Sequence, residues 1–159
     1  MAISAAIKID DKKIQKRINR IKNKFPRLID RGILQAGFQL LAIIREKTIK
    51  GIDVEGNKFA PYTEGYLKKL QREGKKTDVD LIYSGRMLGA LIPSSRTVRK
   101  TGRHKFSVGF SNSEMRKRAF FNQFTMGSNN RRFFGFSKRT QNIISKTFIK
   151  FVSKEFRKI

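Results

Sequence analysis

The chain has few of the side chains that enzymes use for acid–base or nucleophilic chemistry. Among its 159 residues there is one histidine, His104, and no cysteine. A Cys–His pair is therefore excluded, and His104 has no carboxylate near it in sequence that would complete a triad. The basic second half of the chain holds only Glu114 and Glu155 as acids, which is too few for a two-metal centre. The sequence predicts a protein that is not an enzyme, without catalytic residues, metal or cofactor.

One segment imitates a calcium-binding loop. Asp53, Glu55, Asn57 and Glu64 fall at the spacing of calcium ligands, but Lys58 stands where such a loop requires glycine for its sharp turn. Lys58 also adds a positive charge beside the carboxylates, which argues against a calcium site. A glycine-rich phosphate loop that ends in Lys-Ser or Lys-Thr is also missing from the sequence.

Positive charge dominates the composition, with 37 Lys and Arg against 12 Asp and Glu and a net charge of +25. Residues 1–80 hold 19 basic and 10 acidic side chains, whereas residues 81–159 hold 18 basic and 2 acidic. A surface with so few counter-ions favours an anionic partner, either nucleic acid or an acidic protein. The candidates for contact with DNA lie on one predicted helix and around one predicted hairpin: Lys12, Lys13, Lys16, Arg17, Arg20, Arg96, Arg99, Lys100, Arg103 and Lys105.

The length and the 14 phenylalanines are sufficient for a single domain with its own core. Apolar runs are far shorter than the roughly 20 residues that span a bilayer, so no membrane partner is predicted. Apolar spacing and turn residues predict the following elements: a helix over 11–24, a second helix from Pro26 to Lys50, a long loop over 51–80 with one helical turn near 66–72, a hairpin from Ser95–Lys100 and Lys105–Phe110, a helix over 114–124 and a helix from Ser137 to Lys158.

These elements predict an α+β fold with basic N-terminal helices, a small antiparallel sheet, and a C-terminal helix packed on the sheet. In this arrangement residues 1–25 form a basic helical arm, and residues 26–159 form the domain that contains the long loop 51–80. Gly32 and Gly37 weaken the second helix intrinsically, which indicates close packing against a neighbour. His104 is expected to be an exposed residue of the hairpin turn.

The second half of the chain alternates phenylalanines with cations. Such a mixture can stack bases and neutralise phosphates, but these aromatic side chains are more often core or subunit-interface residues, and no nucleic-acid-binding fold signature accompanies them. Side chains of a short extended segment point alternately to opposite sides, so the phenylalanines of 132–136 cannot all face one core. The residues predicted to lie in a subunit interface are Phe133, Phe134, Phe136, Phe124, Tyr62 and Tyr66.

Four short motifs follow one another from residue 51 to the last helix. The first runs from Gly51 to Tyr62 and contains Asp53, Gly56, Phe59 and Pro61; the second runs from Leu81 to Leu88 and contains Ser84 and Gly85; the third is Val108-Gly109-Phe110 followed by Ala119 to Gly127; the fourth is Arg132 to Ser137 and contains Gly135. Gly56 and Gly85 allow backbone angles that other residues avoid. Pro61 favours an extended backbone, and Ser84 is a candidate helix cap.

In order and spacing, these motifs resemble the virion-morphogenesis, or tail-completion, proteins of tailed bacteriophages, a Mu-like group that acts at the head-to-tail neck. The resemblance covers the chain from about Ile33 onward. It departs from the family at Asn122, where relatives have histidine, and at Arg132, where relatives have proline.

The resemblance implies a structural virion component that assembles as a ring, expected to be a hexamer, and that acts in head–tail joining or tail completion. Its partners would be further copies of itself, the head connector or adaptor, the tail proteins and the packaged DNA, and it would assemble in the host cytoplasm. The alternative, which follows from the charge, is a basic DNA- or RNA-binding protein without sequence preference that acts without a ring. The positive charge is expected to face a DNA lumen, an acidic neighbouring ring or solvent.

Overall fold

The computed structural model of the protein describes residues 11–82, 84–125 and 131–158. In chain order, the elements are α1 Asp11–Ile49, α2 Glu64–Arg72, α3 Arg86–Gly89, β1 Val98–Gly102, β2 Lys105–Val108, α4 Ser113–Phe120 and α5 Lys138–Phe156. A π-helical turn, Phe121–Thr125, follows α4 directly. The two strands form an antiparallel sheet, and the long helices α1 and α5 pack on it, so the predicted α+β class is confirmed.

Helix α1 runs unbroken through Pro26, so the prediction of two helices that meet there is wrong. Pro26 removes one backbone donor from the helix, but the apolar positions on its two sides keep the same period, with Phe25 and Ile29 one turn apart. The ring of Phe25 also packs edge-on against Phe156 of α5, with 6.2 Å between centroids. A continuous apolar stripe and a partner helix outweigh one lost hydrogen bond, so residues 11–25 belong to the same helix as the residues after Pro26.

Two glycines of α1 allow its neighbours to approach closely. A Cβ atom on Gly32 would lie 2.9 Å from the ring of Phe148 and 3.0 Å from Val152, both on α5. A Cβ atom on Gly37 would lie 2.8 Å from Val98 of β1. The expectation of close packing at both glycines is therefore confirmed: one admits the C-terminal helix, and the other admits the sheet.

The core lies where α1, the sheet and the segments that carry α3 and α4 meet. Its most deeply buried apolar side chains are those of Leu41, Ile44, Leu91 and Phe133, which are 0–2% exposed. The sheet contributes Val98 to this core and packs Phe106 and Val108 against it, and α5 contributes Ile144 at its border.

The first motif forms a hydrogen-bonded turn directly after α1. Gly51 adopts a left-handed backbone with φ of 69°, and Gly56 has φ of 107°. The Asp53 carboxylate closes the turn, because its Oδ1 accepts hydrogen bonds from the backbone N–H groups of Gly56 at 2.7 Å and Asn57 at 2.8 Å. Phe59 then enters the core at 7% exposed.

The helical turn predicted within the loop 51–80 is confirmed as helix α2, and the segment contains more structure than expected. Helix α2 has nine residues, where a single turn near 66–72 is expected, and Leu70 anchors it at 3% exposed. The backbone N–H of Val54, which is also buried, donates to the carbonyl of Arg132 at 2.7 Å. Contacts with distant parts of the chain stabilise a segment whose own composition is polar and turn-like.

Gly85, and not Ser84, stands at the N-cap of α3. Gly85 has φ of 69°, which confirms the special backbone angle predicted for it. No side-chain cap hydrogen bond forms, so the prediction that Ser84 caps this helix is wrong. The reason is positional, because a capping oxygen must belong to the N-cap residue to reach the first free N–H groups. Leu88 follows in the core at 4% exposed.

The predicted hairpin is confirmed, with strands shorter than expected. Val98 pairs with Val108, and Gly102 pairs with Lys105 across an irregularity in register. The turn therefore narrows to two residues, and His104 adopts φ of 55° in it.

The last two helices begin at side-chain caps. Asn112 accepts hydrogen bonds at the start of α4, and Ser137 accepts one from the backbone N–H of Thr140 at the start of α5, which confirms the predicted cap. The helix predicted over 114–124 is observed as α4 followed by the π-helical turn. Gly135 has φ of 150°, whereas Gly127 of the third motif lies outside the described residues.

Candidate functional site

The phenylalanines predicted to form a subunit interface separate into different environments. Phe133 is 2% exposed and packs its ring against Phe110, with 6.4 Å between centroids. Its assignment to an interface is therefore wrong, because a side chain inside the core offers no surface to a second subunit. Phe136 is 53% exposed and Phe124 is 59% exposed, so both are accessible. As expected, the aromatic side chains of this segment do not all face one core.

Phe134 is half-buried and belongs to the border of the core. Its ring lies 5.3 Å from that of Phe110. The backbone of Phe134 is held on both sides by one amide side chain: its N–H donates to Oε1 of Gln123 at 2.9 Å, and its carbonyl accepts from Nε2 of Gln123 at 2.8 Å. Phe134 therefore supports the fold, and its assignment to an interface stays a prediction for the part of the ring that is exposed.

An exposed aromatic surface is formed by Phe120, Phe121 and Phe124, here called the aromatic face. These side chains are 55%, 58% and 59% exposed. Phe120 lies 5.1 Å from Phe124 and 6.5 Å from Phe121 between ring centroids. On the other side of α4, Met115 and Ala119 are buried.

Sequence reasoning predicted only Phe124 of this group as an interface residue. The signal for the other two is the helical spacing, because Phe120, Phe121 and Phe124 stand at positions i, i+1 and i+4. Met115 and Ala119 stand four residues apart and take the side that packs on the core. The π-helical turn, a form that is frequent at functional sites, carries Phe121 and Phe124.

The basic candidates of α1 lie on its exposed first half. Every residue from 12 to 20 is exposed, including the apolar Ile14 and Ile18 at 47% and 52%. Helix α5 does not cover this part, because its last residue, Phe156, packs on Phe25. The exposed predicted cations are Lys12, Lys13, Lys16, Arg17 and Arg20.

Two of the five hairpin candidates are engaged within the protein. Lys100 forms an ion pair with Asp30 of α1. The Arg99 guanidinium donates from Nε to the carbonyl of Arg96 at 2.8 Å and from Nη2 to that of Phe110 at 3.3 Å. Arg96, Arg103 and Lys105 are exposed and form the accessible basic surface of the hairpin.

The Asp30 carboxylate connects α1 to the hairpin through contacts with the side chains of Lys100 and His104. Besides Lys100, it contacts Nδ1 of His104 through Oδ1 at 2.9 Å. The hydrogen bond from Lys100 is the main cause that lowers the pKa of Asp30, and His104 lowers it further. The His104 side chain is 32% exposed, so the expectation of an exposed turn residue without a carboxylate is corrected by the tertiary structure.

A cavity of about 470 Å³ brings together residues of the first three motifs. Its described lining includes Tyr62 and Tyr66, whose rings meet edge-on at 4.9 Å, and the backbone entry to α3 at Ser84 and Gly85. Phe121 of the aromatic face forms part of the wall. Tyr62 and Tyr66, predicted to contact another subunit, thus line a concave surface of the monomer.

Two arginines, Arg118 and Arg131, also line this cavity. Arg131 is 3% exposed, and its Nη2 donates to the carbonyls of Ala60 at 3.2 Å and Pro61 at 3.3 Å. Its guanidinium carbon stands 4.9 Å from the centroid of the Tyr62 ring, a cation–π contact. Nε is buried without a hydrogen-bond partner.

Burial lowers the pKa of Arg131, and burial is also the main cause that raises the pKa of Tyr62. Both shifts have the same cause, the burial of these two side chains beside the cavity. No sequence pattern points to Arg131, because its hydrogen-bond partners Ala60 and Pro61 lie about 70 residues away in the chain.

Within the described ranges, no group of three or more His, Cys, Asp or Glu side chains is placed to hold a metal ion. No helix in this part of the chain is long and apolar enough to cross a membrane. Comparison of the chain with protein-family models, with curated proteins and with solved structures finds no significant match.

Proposed function

We propose that this protein is a non-enzymatic structural component of a tailed bacteriophage that forms a ring at the head–tail neck and acts in head–tail joining or tail completion. The order of the four motifs supports this proposal, and residues of the first three motifs, among them Tyr62, Gly85 and Phe121, line one cavity. The observation that supports the assembly of a ring is the aromatic face.

The aromatic face consists of three phenylalanines that each leave more than half of their surface in water. A Phe side chain covers about 150–250 Å² when buried, so a partner that covers all three would remove about 300 Å² of apolar surface from water. At about 25 cal/mol per Å², this corresponds to roughly 7 kcal/mol before the costs of association. Such a patch, on a helical support, is typical of a protein–protein contact.

The mechanism of such a component is positional. In a heterologous contact, the aromatic face of one copy meets a different surface of the next, and a closed rotation, expected to give six copies, turns one modest contact into a ring. The two faces of the ring then meet the head connector or adaptor on one side and the tail proteins on the other. The exposed cations of α1 and of the hairpin face packaged DNA or acidic neighbours in this arrangement.

Substitution in the aromatic face tests the ring. Phe124→Asp introduces a charge at a position that is 59% exposed, so the monomer is expected to fold while the ring dissociates. The matched control is Ile92→Asp, which places the same charge at another exposed apolar side chain, 53% exposed and outside the aromatic face. Sedimentation equilibrium is expected to show a hexamer for the wild type and for Ile92→Asp, and a monomer for Phe124→Asp. A monomeric wild type, or a hexameric Phe124→Asp, contradicts the proposal.

A second function, DNA or RNA binding without a ring, is favoured by one specific observation. The first half of α1 exposes its cations along a helix that α5 does not cover. Exposed Lys and Arg side chains on such a helix can contact phosphates on the outside of a nucleic acid. A monomeric wild type that still binds DNA would favour this second function over the ring.

A further inference from the structure

The cavity holds a buried positive charge that no acid neutralises in the described part of the chain. Arg131 is 3% exposed, and none of the ion pairs of the described residues includes it. Among the described residues, its guanidinium contacts two neutral carbonyls and the face of the Tyr62 ring. A buried charge without a counter-ion is costly, and burial of this group correspondingly lowers the pKa of Arg131.

We propose that this cavity binds the carboxylate of an acidic side chain, Glu or Asp, presented between apolar residues on a segment of a partner protein. A carboxylate supplies the single negative charge that the guanidinium lacks. Its two oxygens suit a planar guanidinium, and the buried Nε of Arg131 has no hydrogen-bond partner in the described residues. This inference goes beyond the assembly of a ring and holds for a monomer as well.

The walls of the cavity suit the residues that flank such a carboxylate. Tyr62, Tyr66 and Phe121 present aromatic surface, and Leu81 and Met87 add aliphatic surface. A volume of about 470 Å³ accommodates a few side chains and lies within the usual range for small-molecule binding pockets. An apolar residue beside the acidic residue is therefore buried against these walls, while the carboxylate contacts the guanidinium of Arg131.

A second cation is available at the same cavity. Arg118 pairs through Nη2 with Glu114 at 2.7 Å, but both side chains are more than half exposed. Such an exposed pair contributes little stability, so Arg118 can exchange Glu114 for an incoming carboxylate at low cost.

Geometry favours a peptide over duplex DNA as the occupant. The phosphates of a duplex lie on the surface of a stiff rod and are contacted by side chains that protrude from a protein. Arg131 lies inside a cavity and exposes only 3% of its surface, whereas a Glu side chain on a flexible segment can enter. The exposed cations at Arg96, Arg103 and Lys105 suit the backbone of DNA better.

The test uses three small probes with the intact protein: acetyl-Leu-Glu-Leu-amide, its neutral counterpart acetyl-Leu-Gln-Leu-amide, and thymidine 5′-monophosphate. The chain has no tryptophan and three tyrosines, of which Tyr62 and Tyr66 line the cavity, so intrinsic tyrosine fluorescence reports binding of the peptides there. Binding of the nucleotide is measured by titration calorimetry, because its base absorbs the light that excites tyrosine. The Glu peptide is expected to bind at least tenfold more tightly than the Gln peptide and the nucleotide. Equal binding of the two peptides, tighter binding of the nucleotide, or no response to any probe up to about 10 mM overturns the proposal.

Peptide binding by three arginine variants shows which residues contact the carboxylate. Arg131→Gln is expected to weaken the Glu peptide at least tenfold, and Arg118→Gln about threefold. Arg116→Gln is the matched control, because Arg116 is exposed on the same helix but does not line the cavity; it is expected to leave binding unchanged. If circular dichroism shows that Arg131→Gln does not fold, the comparison of Arg118→Gln with Arg116→Gln decides. Equal losses in those two variants would indicate unspecific attraction by positive charge and would overturn the site.

Discussion

Neighbouring phenylalanines in the fourth motif have opposite environments. The ring of Phe134 packs on Phe110, and its backbone is bonded on both sides to Gln123. Two residues further on, Phe136 is 53% exposed. The backbone at Gly135, with φ of 150°, separates the two, so the roles of these side chains follow from the local turn and not from their shared chemistry.

Substitution of Phe134 is expected to destabilise the fold. Phe134→Asp should lower the free energy of unfolding by about 3 kcal/mol, because it removes a ring from the border of the core and places a charge there. Phe136→Asp, the control, should change it by less than about 1 kcal/mol. Urea unfolding followed by circular dichroism measures both values. A Phe134→Asp variant as stable as the wild type would contradict this supporting role.

The pH dependence of stability is expected to include a contribution from Asp30. Its pKa is held below the ordinary value of 3.8, mainly by the hydrogen bond from Lys100 and further by His104. A carboxyl group with a lowered pKa in the folded state stabilises the protein above pH 3.8 and loses this effect as the pH falls through the folded pKa. The stability difference between the wild type and Asp30→Asn should therefore shrink between about pH 5 and pH 2.5. A constant difference over this range would count against the pairing.

At the scale of elements, α1 organises the molecule. It has 39 residues, whereas α5 has 19, so α5 covers the second part of α1 and leaves the first part exposed. Contact between the two helices depends on Gly32, which lies directly under the ring of Phe148. The same helix therefore provides both the support of the domain and an uncovered basic and apolar surface.

The helix–helix contact predicts an unusual result for a glycine-to-alanine substitution. Gly32→Ala improves helix propensity by about 1 kcal/mol, but its Cβ would lie 2.9 Å from Phe148 and 3.0 Å from Val152. The net effect is expected to be a destabilisation of about 1–2 kcal/mol, because overpacking outweighs propensity. Gly65→Ala in α2 is the control, since a Cβ atom there meets nothing within 4 Å, and it should not destabilise. Thermal unfolding compares the two; a stabilised Gly32→Ala would contradict the packing.

At the scale of the whole molecule, some cations are paired or buried within the protein and others are exposed to solvent. Asp30 neutralises part of the hairpin charge through Lys100, and Arg131 is enclosed. The first half of α1 and the tip of the hairpin remain exposed. The net charge of +25 is therefore carried by exposed cations on several elements, and these two places hold the accessible candidates for contact with DNA.

We expect the protein to bind duplex DNA weakly and without sequence preference. Contact with about six phosphates should give a slope near −5 in a plot of log affinity against log salt concentration. Reversal of the exposed hairpin cations, as Arg96→Glu, Arg103→Glu and Lys105→Glu together, is compared with the matched variant Lys16→Glu, Arg17→Glu and Arg20→Glu on α1. The variant that loses more affinity and flattens the slope locates the contact. A flat salt response of the wild type, or a preference that survives competitor DNA, would contradict the prediction.

Local features of the fold could be read from the sequence. The α+β class, the hairpin, the cap at Ser137, the left-handed Gly85 and the close approach at Gly37 all follow from rules that involve a few neighbouring residues. The exposed cations of α1 also follow from the helical period. These predictions succeed because backbone propensity and apolar spacing act over a turn or two of the chain.

Only the tertiary structure decided which side chains are enclosed and which are shared between distant segments. Pro26 continues a helix because α5 packs beside it, and Phe133 enters the core while Phe136 does not. His104 meets Asp30 across 74 residues, and Arg131 meets Pro61 across 70. Such contacts depend on where the folded chain returns in space, and their free energy comes from burial and from the removal of water. No pattern along the sequence encodes either directly, so the cavity became visible only in three dimensions.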